Sequence, residues 1–394
     1  MVSPRSPADA RGILEIGELR MACRHATLAF ILVAASELSA AAQAPGRARD
    51  LYDRALDLER RGNGAAALSL LWEAAGLAPR DGVIQDRLGE SLERIGALDA
   101  AVDAYRAAVE AKPAPRGAAN HLVLALVKAG RSAEAIVRAQ SLAAESPGDA
   151  ERWFTLGLAQ ADVDAGGAID SFRRALAIDR RHVLARYNLA LVLYHGDRLQ
   201  PALDELQQAL AIQPRPELHY TLGIVRWHQG DLDGAVTALR DAVASNPAYA
   251  DAHLALGTVL KAKGDPPRAI ASLKRAVELQ PDLPAPRIVL AQALAVAGDE
   301  AGSRRESAEA ERLRALEQRS RAAATLTAAG VERLASGDAG AAADAFRRAT
   351  QAFDAFAPAH YQLGRALDVL GRHDEARVAF ARAQQLNPAL VPPR

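Results

Sequence analysis

Apolar and small residues recur along this 394-residue chain at helical rather than strand spacing. Leu88-Gly89, Leu156-Gly157, Leu222-Gly223, Leu256-Gly257 and Leu363-Gly364 stand in similar surroundings. In most of these stretches an Ala follows about twelve residues later, then Phe, Tyr or Leu after four more, then Ala after three. Ala101, Tyr105 and Ala108 precede Pro113; Ala235, Leu239 and Ala242 precede Pro247. The same ladder gives Ala269, Leu273, Ala276 and Pro281, and later Ala376, Phe380, Ala383 and Pro388. Units in this register start at 48, 82, 116, 150, 183, 216, 250, 284, 323 and 357, at intervals of 33 or 34 apart from one of 39. Each unit predicts two helices. At about 100° per residue the fourth, seventh, eighth and eleventh places share one face of the first helix. Gly at the fifteenth place (Gly96, Gly130, Gly230, Gly264, Gly298, Gly371) ends that helix, and the closing Pro ends the second.

From Ala48 to about Leu390 this pattern resembles the tetratricopeptide repeat family. The resemblance implies an all-α chain of about ten helix-turn-helix repeats, stacked into a right-handed superhelical solenoid. Each helix pair is sticky on its stacking faces and needs neighbours to bury them. Small Ala and Gly residues then serve wherever helices pack closely.

Two places break the pattern. Gly166-Gly167 is expected in a linker one residue short, with Arg180 in place of the closing Pro. In the eighth unit Ser303, Ser307 and Ala310 replace the ladder, and the stretch Arg304–Arg321 carries six Arg and four Glu, with no Pro before Pro358. Pairs such as Glu300 with Arg304 and Arg305 with Glu309 suit a helix. The expectation is a long solvated helix at 304–321, joining an array over 48–322 to two further repeats over 323–390.

Residues 21–42 read as an export signal. Met21 to His25 supply a charged start, Ala26 to Ser36 an apolar run of eleven, and Ser39 to Ala44 an Ala-x-Ala cleavage pattern, with cleavage expected after Ala42. A membrane-spanning helix needs about 20 apolar residues, and Glu37 ends this run earlier, so no lasting span is expected. Asp9, Glu15 and Glu18 fit poorly ahead of such a signal, so residues 1–20 are read as an extension before a start at Met21. The expected location is periplasmic or secreted.

Composition narrows the function. Lys plus Arg and Asp plus Glu number 48 each, which argues against a phosphate-neutralising nucleic-acid binder. The single Cys, Cys23, falls in the signal, so thiol chemistry and Cys-metal sites are not expected. No phosphate-binding loop, Gly-x-Ser-x-Gly or His-Glu-x-x-His pattern occurs, and the repeats leave no room for a catalytic domain. His219, His253 and His360, at the fourth place, read as packing residues. His195 and His228 share a place in successive units but lack an obvious third ligand. No enzyme activity, cofactor or metal is expected.

Places two, five, nine and twelve of the first helices lie roughly 130° from the stacking face. The family resemblance implies that they line a concave groove for a peptide or partner helix. Tyr52 stands there in unit one, Phe154 and Leu158 in unit four, Tyr187, Leu191 and Tyr194 in unit five, and Tyr220, Ile224 and Trp227 in unit six. Each aromatic offers about 150–250 Å² of buryable area, so units four to six are expected to expose a sizeable apolar patch. The competing reading is that neighbouring helices cover these rings. The fifth places hold no Lys and the ninth no Asn, so the carboxylate clamp of tetratricopeptide cochaperones is missing. The expected role is a non-catalytic protein-interaction scaffold. The alternatives are an assembly subunit of a cell-envelope or polysaccharide-export complex, or a regulatory subunit of a separate enzyme.

Overall fold

The computed structural model describes residues 45–392, and these contain helices and turns but no strand. The expected extension at 1–20 and export signal at 21–42 lie outside the described residues. The chain divides into two compact units, one ending at Glu205 and one beginning at Leu206. The first contains residues 45–60 (α1), Gly64–Leu77 (α2), Gly82–Arg94 (α3), Leu98–Glu110 (α4), Ala118–Lys128 (α5), Ser132–Glu145 (α6), Ala150–Gln160 (α7), Ala165–Ile178 (α8) and Val183–His195 (α9). Helix α10, Leu199–Ile212, contains the division. The second unit continues with Pro216–His228 (α11), Leu232–Ser245 (α12), Ala250–Ala262 (α13), Pro266–Leu279 (α14), Pro284–Val296 (α15), Glu300–Ala335 (α16), Ala339–Ala352 (α17), Ala357–Val369 (α18) and His373–Leu386 (α19). No helix among the described residues is long and apolar enough to cross a membrane.

The turn inside each repeat is chemically simple. Gly62, Gly96, Gly130, Gly230, Gly264, Gly298, Gly337 and Gly371 all take positive φ, ending the first helix in the left-handed region. In several repeats the next residue caps the second helix. Asp231 accepts from Gly234 N at 2.8 Å, Asp299 from Gly302 N at 2.8 Å and Asp338 from Ala341 N at 2.9 Å. The fifth repeat has Asp197 at the glycine position, with φ 56°.

Gly166 and Gly167 are not in a linker; they form the first turn of α8. Asp164 caps that helix on Gly167 N at 2.9 Å, and a Cβ at residue 167 would run into the Asp164 carboxylate and the Gln160 amide. The fifteenth-place glycine pattern does not mark this turn, because Asp164 stands there and no left-handed glycine precedes the cap.

The ladder on the second helices is the buried seam. Ala101, Tyr105 and Ala108, Ala235, Leu239 and Ala242, and Ala269, Leu273 and Ala276 are all buried. Opposite the large ladder residue stands the Gly of the eighth place. A Cβ on Gly89 would meet Tyr105 Cε1 at 2.6 Å, one on Gly223 would meet Leu239 Cγ at 2.6 Å, and one on Gly364 would meet Phe380 Cδ1 at 2.7 Å. The third repeat reverses the sizes, with Val123 and Ala139 at these two places, both buried. Complementary volume, rather than glycine itself, is what the packing requires.

The fourth place does more than fill space. Its side chain reaches back six residues to the carbonyl that closes the preceding repeat. Gln85 donates to Pro79 O at 3.2 Å, Trp153 to Pro147 O at 2.9 Å and Arg186 to Arg180 O at 2.9 Å. His253 Nε2 lies 3.1 Å from Pro247 O and His360 Nε2 2.8 Å from Asp354 O. These contacts tie each first helix to the turn that precedes it.

In the eighth repeat the helix never turns. Helix α16 is a single element that serves as second helix to α15 and then as first helix to α17, so ten repeats are made from nineteen helices among the described residues. No Gly or Pro interrupts 304–321, and Ser307 at the ladder place is exposed. The charge run is only partly solvated. Arg287 of α15 reaches Glu306 at 2.8 Å, and Arg319 donates to Ala352 O at 3.1 Å, with its guanidinium 5.6 Å from the Phe353 ring centre. Glu300 pairs with Arg304 at 3.6 Å as expected, whereas Glu309 bonds Arg312, at 2.8 and 2.7 Å.

Candidate functional site

The first helices carry the candidate row, and in the first unit it has a polar and an apolar stretch. The polar stretch spans α1, α3 and α5. Glu59, with its side chain only 8% exposed, accepts from Ser91 Oγ at 2.9 Å, from Arg94 at 3.2 Å and from Arg87. Burial alone would raise the Glu59 pKa, but Ser91 and the two guanidinium groups outweigh it and hold the carboxylate below its ordinary range. Arg87 also reaches Glu90 at 2.5 Å. Tyr105 donates to Glu93 at 3.2 Å, and Lys128 pairs with the same carboxylate. His121 Nδ1 lies 2.9 Å from Asp86 Oδ1; this contact raises the imidazole pKa against the opposing effect of burial.

The apolar stretch lies on α7 and α9. Leu158, Tyr187, Leu191 and Tyr194 are all half-buried. Burial raises the Tyr194 pKa, and its ring centre lies 5.2 Å from that of His195. Phe154 is a correction to the expected row. It is 7% exposed, with its ring 4.7 Å from His182 and 6.0 Å from Phe172, so it supports the surface from beneath. His182, the cap of the next first helix α9, covers it, which no count of places along a single helix reveals. Tyr52, at the other end of this row, is half-buried with the Arg49 guanidinium 4.9 Å from its ring centre.

In the second unit Tyr220, Ile224 and Trp227 lie half-buried on α11 against a core that includes Val236, Leu239 and Leu256. The Tyr220 ring stands 5.2 Å from Tyr249, and Trp227 5.8 Å from His228. Across both units, then, the rings of the row are partly covered rather than openly displayed. More exposed apolar side chains occur on the second helices, where Trp72 of α2 is 52% exposed and Val137 of α6 68%. Val137 lies with Val109, Ala133 and Leu142 along an open depression of about 700 Å³ between α4 and α6, away from the row.

One cluster has no signature in the sequence. Asp86 and Glu90 of α3 and His121 of α5 bring their ligand-type atoms within 4.8 Å of one another. The sequence places His121 31 residues beyond Glu90, so only the stacking of repeats reveals the group.

A tetratricopeptide repeat family model matches residues 52–115, 164–215, 220–284 and 254–315, more than half of the chain, and a second matches 357–390. The chain belongs to the tetratricopeptide repeat family. Among solved tetratricopeptide structures, it is similar to a repeat protein from Parabacteroides merdae ATCC 43184, at 17% identity and a TM-score of 0.50, over 63% of this chain and 99% of that one. It is also similar to MamA, at 25% identity and a TM-score of 0.38, over 39% of this chain and 92% of that one. A third is YrrB, described as a tetratricopeptide protein with an unusual peptide-binding site, at 19% identity and a TM-score of 0.40, over 44% and 91%. No curated protein matches the sequence.

Proposed function

We propose that this tetratricopeptide protein is a non-catalytic scaffold that binds apolar peptide segments of a partner protein on the first-helix rows of its two units. The observation that carries this reading is the chemistry of α7, α9 and α11. Leu158, Tyr187, Leu191 and Tyr194, and likewise Tyr220, Ile224 and Trp227, are half-buried, so each keeps part of its apolar surface while its base is fixed by the core. A ring held this way loses little rotamer freedom when a partner covers it, which favours binding. Phe154 has no direct contact role here; it stiffens the floor beneath. On the strength of residues 21–42, we place this activity in the periplasm or outside the cell.

The test is a peptide-display selection against the full chain. The reading expects enriched peptides rich in aromatic and branched apolar residues, whose binding Tyr194→Ala or Trp227→Ala weakens while the helical circular-dichroism signal holds. Selected peptides that bind equally well to the Tyr194→Ala/Trp227→Ala double variant would overturn it.

A further inference from the structure

Five histidines among the described residues sit against carboxylates: His121 with Asp86, His182 with Glu151, His219 with Asp241, His360 with Asp354 and His373 with Asp368. At His121 alone among them a second carboxylate, Glu90, joins the pair. Asp86 and Glu90 are four residues apart on α3 and so project from one face of that helix. His121 comes from α5, the first helix of the next repeat, and the three donor atoms lie within 4.8 Å of one another. Donors on one tetrahedral ion at bond lengths of roughly 2 Å stand about 3.3 Å apart, so side-chain rotations that close the spread by about 1.5 Å would bring all three onto one ion.

We propose that Asp86, Glu90 and His121 form a Zn²⁺ site that links the second and third repeats. One imidazole nitrogen with two carboxylates is a donor set that suits zinc, whereas Mg²⁺ and Ca²⁺ take oxygen ligands and make poor use of the imidazole. Around the site Glu59 is held by Arg87 and Arg94, and Glu93 by Lys128 and Tyr105, which leaves Asp86 paired with His121 alone. Arg87 engages one oxygen of Glu90 at 2.5 Å, and the carboxylate has a second. Asp86 is sheltered, its side chain 14% exposed, while Glu90 and His121 are each 36% exposed and open an entry path. Three protein ligands leave a fourth tetrahedral position for water or for a carboxylate or imidazole of a bound partner. The site is separate from the apolar stretch on α7 and α9 and does not depend on the peptide-binding proposal.

Isothermal titration of the untagged full chain with Zn²⁺ tests this, with Co²⁺ as a spectroscopic substitute and Mg²⁺ for contrast. The expected result is one Zn²⁺ per chain, a Co²⁺ visible spectrum and no comparable Mg²⁺ binding. His121→Ala and Asp86→Asn should each weaken Zn²⁺ binding about tenfold or more, since losing even an outer-shell partner reaches that scale. His373→Ala should leave binding unchanged. His121→Gln, which keeps the side-chain bulk, guards against a folding defect, and circular dichroism of each variant confirms the helices. Zn²⁺ bound with equal affinity by His121→Ala or His121→Gln, or no Zn²⁺ binding by the wild-type chain, would overturn the assignment.

Discussion

A Cβ placed on Gly157 would stand 2.5 Å from Cε1 of Phe172, inside the distance at which carbon atoms can pack. The glycine of α7 is thus the socket for the ring of α8, and the two form one packing unit at the centre of the fourth repeat. The same relation joins Gly330 to Phe346, again at 2.5 Å. Gly157→Ala gains about 1 kcal/mol of helix propensity but forces the ring to move, at about 1–3 kcal/mol. The expected net result is a loss of about 1 kcal/mol. Phe172→Leu added to Gly157→Ala should recover part of it, because Ala with Leu occupies these two places in the first repeat, at Ala55 and Leu71, both buried. A double-mutant cycle by urea denaturation reads the coupling, expected at about 1 kcal/mol; additive effects would contradict the socket.

Asp197 is the described non-glycine residue with positive φ, at 56°, where every other repeat but the fourth has glycine. The left-handed region costs an L-residue about 1 kcal/mol, somewhat less for Asp. Asp197→Gly should therefore stabilise the protein by a few tenths of a kcal/mol to about 1 kcal/mol, seen as a higher thermal midpoint with unchanged helicity.

Glu59 links the first repeat to the second through Ser91, Arg94 and Arg87. Glu59→Ala should cost about 2 kcal/mol, the range for hydrogen bonds to charged groups that are largely buried. Its folded-state pKa lies below the ordinary value of 4.5. The contribution is therefore complete above pH 4.5 and disappears as pH falls through the folded value. Denaturation midpoints measured from pH 7 down to pH 3 should fall less steeply for Glu59→Gln than for wild type, because the variant has no carboxylate to protonate.

Arg319 separates a structural charge from its solvated neighbours on α16. It donates to Ala352 O, the last residue of α17, at 3.1 Å and covers Phe353. Arg319→Ala should cost about 1 kcal/mol, whereas Arg314→Ala, exposed on the same helix, should stay within about 0.5 kcal/mol. Equal losses would show that helix propensity, not the α17 contact, sets the effect.

The repeat register was legible because it is written in residues with single physical meanings. Glycine at the fifteenth place marks a left-handed turn, and the Ala ladder marks close helix approach. The cap was harder to see: Asp164 holds α8 without a left-handed glycine before it, which hid the α8 start at Gly166 and Gly167. The candidate row was legible as a set of positions but not as a surface. Phe154 looks equivalent to Tyr187 and Tyr220 on a helical wheel, yet His182, the cap of α9, covers it. Contacts made by stacking 31 to 35 residues apart, such as His121 with Asp86 or His182 with Glu151, have no local signature at all.

The central claim is that the half-buried rings of the first helices bind apolar peptide, and a direct measurement is peptide affinity across the ring variants. Fluorescence anisotropy of a selected labelled peptide should give a Kd that rises about tenfold for Tyr194→Ala or Trp227→Ala, the change expected from losing an interface anchor worth at least about 1.4 kcal/mol. The thermal midpoint of each variant should stay close to that of wild type, because these rings sit on top of the core rather than in it. Unchanged affinity in the double variant, with its helices intact, would contradict the account.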